Sequence, residues 1–103
     1  MIAPKPDEKI LKAFGVKKSP HGKGLFYVTS LRVFFETREH GTVFDLPYHI
    51  LRSYKDTHGN HFRIEWFDGG RWFYELKIHE SAKEVFDTYA LANKEFASSQ
   101  PNQ

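Results

Sequence analysis

Residues 24–37, GLFYVTSLRVFFET, hold two short runs of β-branched and aromatic residues separated by Ser30 and Leu31. A tight loop at those two residues sets Thr29 opposite Arg32, Val28 opposite Val33 and Phe26 opposite Phe35. One face of the hairpin is then Phe26, Val28, Val33 and Phe35, all apolar. The other is mixed: Leu25, Tyr27, Thr29, Arg32, Phe34 and Glu36. Alternation with a period of two is what an antiparallel pair shows when one side faces a core.

The same alternation continues on both sides. The run EKILKAFGVKK, from Glu8, predicts a first strand with Ile10, Phe14 and Val16 on one side and a bend or bulge at Gly15. Ser19-Pro20-His21-Gly22 predicts a loop. Beyond a turn on Gly41, Val43 to Leu46 reads as a strand with Phe44 and Leu46 inward, ended by Pro47, and Ile50 to Asp56 as a weaker one. A turn at His58-Gly59-Asn60 leads into Phe62, Ile64 and Trp66, then Trp72, Tyr74, Leu76 and Ile78. A two-residue loop in this last hairpin would pair even positions with odd ones and split the apolar faces. A three-residue loop, Asp68-Gly69-Gly70, instead pairs Trp66 with Trp72, Ile64 with Tyr74 and Phe62 with Leu76, and sets Arg63 opposite Glu75. The period then changes. Ser81 and Glu84 have the spacing of a capping box, and Ala82, Val85, Phe86, Tyr89, Ala92 and Phe96 recur at helical spacing, with Lys94 near the helix end.

Seven strands followed by one amphipathic helix cannot form a flat sheet at this length. A bent barrel or orthogonal sandwich with the helix plugging one end covers both the apolar face and the edges. At 103 residues the chain has room for one domain. Residues 1–7 are expected to be a flexible lead-in, 8–97 the domain and 98–103 a disordered tail.

Composition narrows the chemistry. With no cysteine there is no disulfide framework, thiolate nucleophile or Cys-based zinc site. No run approaches the roughly 18 apolar residues of a membrane span, and the N-terminus lacks a hydrophobic signal segment, so a soluble cytoplasmic protein is expected. The formal net charge is only +2, but residues 1–23 carry six lysines against Asp7 and Glu8, and the remainder is net acidic. The positive field therefore sits at the start of the chain.

The run from Gly24 to Phe35 resembles the G-x-L-Y-x-T-x-x-R-x-x-F signature of GRAM and related pleckstrin-homology-like domains. Phe44-Asp45-Leu46-Pro47-Tyr48 followed by Ile50, the Tyr74-x-Leu76-x-Ile78 strand and Ser81-Ala82 are similar to the same family. The likeness covers roughly residues 8–97. It implies a mainly β fold with one α-helix: a PH-like barrel of seven antiparallel strands in two near-orthogonal sheets, capped by the C-terminal helix. It also implies a non-enzymatic binding module.

Two candidate surfaces follow. Lys17, Lys18, His21 and Lys23 cluster around the loop after the first strand, with Arg32 at the far hairpin end. Converging cations and free N–H groups in a concave turn attract phosphate, and pleckstrin-homology domains that bind phosphoinositides use this loop. Their pattern of Lys or Arg, one residue, then Arg is broken here, since Lys23 is followed by Gly24 and Leu25. The resemblance also gives Arg32 a structural role in the hairpin. The second surface is aromatic: Leu25, Tyr27 and Phe34 on the outer face of one sheet, and Phe67 and Phe73 on that of the other, suit a protein partner or a homo-oligomer. The six histidines fit no strong metal motif, and no catalytic constellation or cofactor motif is present. The expected function is protein–protein contact, self-association included; the alternative is a peripheral membrane module binding anionic headgroups. Aromatics and lysines lie apart, which disfavours nucleic acid.

Overall fold

Strand β1 (Ile10–Lys18) is the spine of the molecule, because it pairs with β2 (Gly24–Thr29) along most of its length and with β7 (Arg71–Ile78) near its end. Outward from it lie β3 (Arg32–Thr37) and β4 (Gly41–Pro47) on one side, β6 (His61–Phe67) and β5 (Leu51–His58) on the other. Hydrogen bonding joins them into one continuous antiparallel sheet of order β4-β3-β2-β1-β7-β6-β5. This computed structural model describes residues 5–81, 83–85, 87–88 and 91–92, with backbone alone for 52–58.

The sheet is curled. Phe44 on β4 lies 5.7 Å, ring centre to ring centre, from Trp66 on β6 and 5.2 Å from Tyr74 on β7. In a flat sheet of this order β4 and β6 would be five strand spacings apart, about 24 Å. Rolling the sheet brings its apolar face onto itself. Phe14, Phe26, Val28, Val33, Phe35, Phe62, Ile64 and Ile78 lose all contact with solvent inside it. Each such side chain contributes about 1.5–3 kcal/mol relative to exposure. Among the described residues, 83–85, 87–88 and 91–92 are helical, and Val85 and Ala92, two turns apart, are fully buried in this same core. Of the expected helical stripe, Ala82, Phe86, Tyr89 and Phe96 lie outside the described residues, as does Lys94.

Both hairpin registers follow the parity of the sequence. Phe26 pairs with Phe35 and Val28 with Val33. The Thr29 Oγ1 accepts the N–H groups of Leu31 at 3.1 Å and Arg32 at 3.0 Å and so closes the turn. In β6–β7, Trp66 pairs with Trp72, Ile64 with Tyr74 and Phe62 with Leu76, across the three-residue loop Asp68-Gly69-Gly70. Gly69 takes φ +67°, a backbone conformation that a side chain disfavours.

Several local expectations are corrected. The register shifts in β1 fall between Ile10 and Lys12 against β2 and between Val16 and Lys18 against β7, on either side of Gly15, which itself pairs in register with Leu25. A short 3-10 turn, Tyr48–Ile50, separates β4 from β5, which begins at Leu51 and reaches His58. Pro47 is itself the last residue of β4, opposite Arg32; β4 is an edge strand, where a missing N–H is tolerated. The Glu84 carboxylate does not complete a capping box. It reaches Lys12 Nζ on β1 at 3.0 Å, and the first helical turn is closed by the Glu84 N–H donating to the Ser81 carbonyl oxygen at 3.0 Å. A cross-element cation thus outcompetes the local cap.

Gly24 lies so close to β3 that no side chain fits there. A Cβ there would overlap the Glu36 carbonyl oxygen and come within 2.9 Å of the Phe35 ring. Gly24→Ala is therefore expected to cost about 1–3 kcal/mol in chemical denaturation. Gly70→Ala, whose Cβ would meet nothing closer than Trp72 at 3.7 Å, serves as the near-neutral control. Equal losses in the two variants would contradict this packing.

Candidate functional site

Arg32 belongs to the fold and not to an anion site. It is buried; its Nε and one terminal nitrogen donate to the two oxygens of Glu8 at 2.8 and 2.9 Å, and the other terminal nitrogen donates to Asp45 Oδ2 at 2.7 Å. Such a planar, two-pronged pairing is the strong form of a charge-assisted hydrogen bond. The Glu8 side chain is fully buried; it also accepts the Thr29 hydroxyl at 2.6 Å and the Lys5 N–H at 3.1 Å. Beside it the Ser30 N–H donates to the Lys9 carbonyl oxygen at 2.8 Å and the Lys9 N–H donates to the Ser30 Oγ at 3.0 Å. Residues 5–9, part of them expected to be a flexible lead-in, are therefore tied to the β2–β3 turn.

The remaining cations of the predicted anion site are spread over three places. Lys17 is exposed. Lys18 lines a 450 Å³ groove with Ser19, His61, Glu75 and Lys77, the last directly opposite it on β7. His21 is exposed at the mouth of a second groove: its Nδ1 lies 2.6 Å from the Tyr74 hydroxyl, its ring stacks on Tyr74, and the His40 ring stands edge-on to it at 5.4 Å. Lys23, with Gly22 at φ +93° beside it, lies on the same 510 Å³ groove between the β1–β2 loop and the β3–β4 turn. The opposite wall of that groove carries Arg38, a cation the sequence reading left out because it lies 15 positions away from Lys23 along the chain.

The aromatic surface divides just as clearly. Tyr27 and Phe34 do lie on the outer face by parity, but they are buried, which removes them from the predicted interface. The Tyr27 ring stacks on Phe34 at 4.6 Å, the Arg32 guanidinium covers Phe34 at 4.9 Å, and the Tyr27 hydroxyl donates to Glu36 at 3.3 Å. Burial, then the Glu36 charge, raises the Tyr27 pKa, so the phenol stays protonated. Leu25, Phe67 and Phe73 are exposed, at 42%, 51% and 56%. Trp72, assigned to the core face by the sequence, joins them at 54%. It shares a face with Trp66 but sits one step from the loop, where the curled sheet no longer covers it, and its indole N–H donates to the Asp68 carbonyl oxygen at 3.1 Å. Three large aromatics thus surround the β6–β7 loop.

Among the described residues no three His, Asp or Glu side chains gather to hold a metal ion, and no helix is long and apolar enough to cross a membrane. Two exposed features stand out: the aromatic cluster around the β6–β7 loop, and the groove carrying Lys23 and Arg38 with Glu39 beside them.

Burial raises the Glu8 pKa, but the hydrogen bonds from Arg32, Thr29 and Lys5 and the Arg32 charge outweigh it and bring the group from the ordinary 4.5 down to about 2. A carboxylate depressed in the folded state contributes its stability in full above pH 4.5 and loses it as pH falls toward 2. Glu8→Gln should therefore be less stable than the parent by about 3 kcal/mol at pH 7. The gap should close between pH 4.5 and 2, followed by denaturant titration at each pH. A gap that stays constant with pH would contradict the ion pair.

In comparison with known proteins, the chain matches no protein-family model and no curated protein.

Proposed function

We propose that the chain is a non-enzymatic pleckstrin-homology-like or GRAM-like binding module that works through protein–protein contact, with the β6–β7 hairpin as its contact surface. The observation that carries this reading is the exposure of Phe67, Trp72 and Phe73 around a single three-residue loop. Isolated exposed apolar residues are ordinary, whereas three aromatics on one hairpin end form the kind of anchor that interfaces use. In this reading β1–β4 and β5–β7 correspond to the two near-orthogonal sheets of such a domain, with β1 as the shared corner and the helix as the plug. A cytoplasmic location goes with it, since the chain has no cysteine to oxidise.

A second reading has its own support. Lys23 and Arg38 face one groove from two different turns, with His21 beside them and a single carboxylate, Glu39, on the same rim. That arrangement suits an anionic headgroup, and it is the form in which a peripheral membrane role would operate.

Two measurements separate the readings. Protein contact predicts that a Phe67→Ser, Phe73→Ser double variant, still melting cooperatively, loses the stoichiometric partners that the parent captures from its own cells; identical capture would overturn it. The membrane reading predicts sedimentation with phosphatidylserine vesicles that weakens as salt rises and is lost on replacing Lys23 and Arg38 with alanine. A protein that stays in the supernatant at low salt rules that role out.

A further inference from the structure

The outer face of β6–β7 has a charge pattern that the exposed aromatics alone do not explain. Its cross-strand rows, from the loop inward, are Phe67 with Arg71, Glu65 with Phe73, Arg63 with Glu75, and His61 with Lys77. In the three rows nearest the loop two arginines are matched by two glutamates, and the exposed Lys77 leaves the face as a whole with a single net positive charge. A surface built for lipid headgroups or nucleic acid gains its affinity from a large net positive charge. The rows nearest the loop have none.

The charges are also incompletely paired within the chain. Arg63 does not engage Glu75 across its row. Its guanidinium lies over the Phe73 ring at 3.9 Å and stands 3.6 Å from Glu65, and its Nε is buried without a hydrogen-bond partner. Glu75 has no ion-pair partner among the described residues. Arg63 is thus paired along its own strand with Glu65, and Glu75 is left without a cation beside the half-exposed Phe73.

We propose that this face docks on the same face of a second copy of the chain, about a two-fold axis running along the strands between β6 and β7. The inference rests on the reading of the hairpin as a protein contact. Such an axis keeps each row level and exchanges the two strands, as a self-complementary interface requires. Glu75 then faces the partner's Arg63, and symmetry makes that pair twice. Arg71 lies over the partner's Phe67, a cation on an aromatic face. In the middle row Phe73 meets the partner's Glu65, and within these three rows no like charges meet. An axis across the strands would instead set Glu65 against the partner's Glu65, which the charges oppose.

Charge exchange tests the arrangement. In sedimentation equilibrium the parent is expected at twice the 12.1 kDa chain mass. Arg63→Glu or Glu75→Arg alone should raise the dimer dissociation constant about tenfold or more, because each sets like charges across the interface. An equimolar mixture of the two variants should dimerise again, since each copy then offers the sign the other lacks. Each swap also opposes like charges within its own row, but rescue on mixing arises only between chains. Phe73→Ser, which alters no charge, should weaken the dimer similarly and covers the case of a swap that fails to fold. A parent monomeric at every concentration, a mixture no tighter than its components, or a Phe73→Ser dimer of parental strength overturns the proposal. If the parent is monomeric yet the Phe67, Phe73 double variant loses its cellular partners, self-association falls and the protein-contact reading stands. If those partners are kept as well, both fall.

Discussion

The structure depends on one constraint: an apolar sheet face that cannot be left open. A sheet of this width has to hide that face, and with one short helical segment among the described residues the economical solution is to roll the sheet onto itself. The contact between Phe44 on the outermost strand of one half and Tyr74 and Trp66 in the other is where the roll closes. Strand β1 makes it possible, since it pairs with β2 and β7 and changes register at Leu11 and near Lys17, where the ladder can bend. Val85 and Ala92 then supply the cover that the strands lack.

The buried ion pair has a different standing. Removing two charges from water is costly, and the Arg32–Glu8–Asp45 arrangement recovers that cost only through short, directed hydrogen bonds. What it adds is specificity. Glu8 lies outside the sheet, Arg32 begins β3 and Asp45 is on β4, so the three fix where the start of the chain lies against the β2–β3 hairpin. The same guanidinium covers Phe34 and so closes what would otherwise be an apolar outer surface. Once Tyr27 and Phe34 are covered in this way, the exposed aromatic character of the sheet is concentrated at the β6–β7 hairpin. The basic character is shared between the β1–β2 loop and the neighbouring β3–β4 turn. The two surfaces are separate, which is why contact with protein and contact with an anionic surface can be told apart by substitution.

The predicted helix cap shows how local and distant terms compete. Ser81 and Glu84 have capping-box spacing, worth about 1 kcal/mol when formed. In the fold the Glu84 carboxylate faces Lys12 across the gap between helix and sheet, and the half-exposed pair there is of similar small value. Two interactions of equal weight cannot be ranked without knowing which strand lies beneath the helix. The Arg63–Glu75 pair fails for a related reason: the register is right, but the face of a neighbouring phenylalanine offers the guanidinium an alternative at 3.9 Å.

Strand identity, hairpin register and the three-residue loop were legible in the residues themselves, because the side-chain period of a strand is two and a slip of one would expose Phe26, Val28 and Ile64 together. Those quantities are local, and the sequence by itself determined them. What the sequence could not determine is which outer-face residues remain exposed. Tyr27 and Trp72 show why: the first lies on the outer face and is buried, the second lies on the core face and is open. Parity assigns a side chain to a face, but only the curl of the sheet and the side chains of distant elements decide whether that face meets water. The same holds for charge, since Arg32 and Arg38 are alike in sequence; the fold spends one on Glu8 and sets the other on a groove beside Lys23. Exposure and pairing are properties of three-dimensional proximity, so the tertiary structure alone decided them.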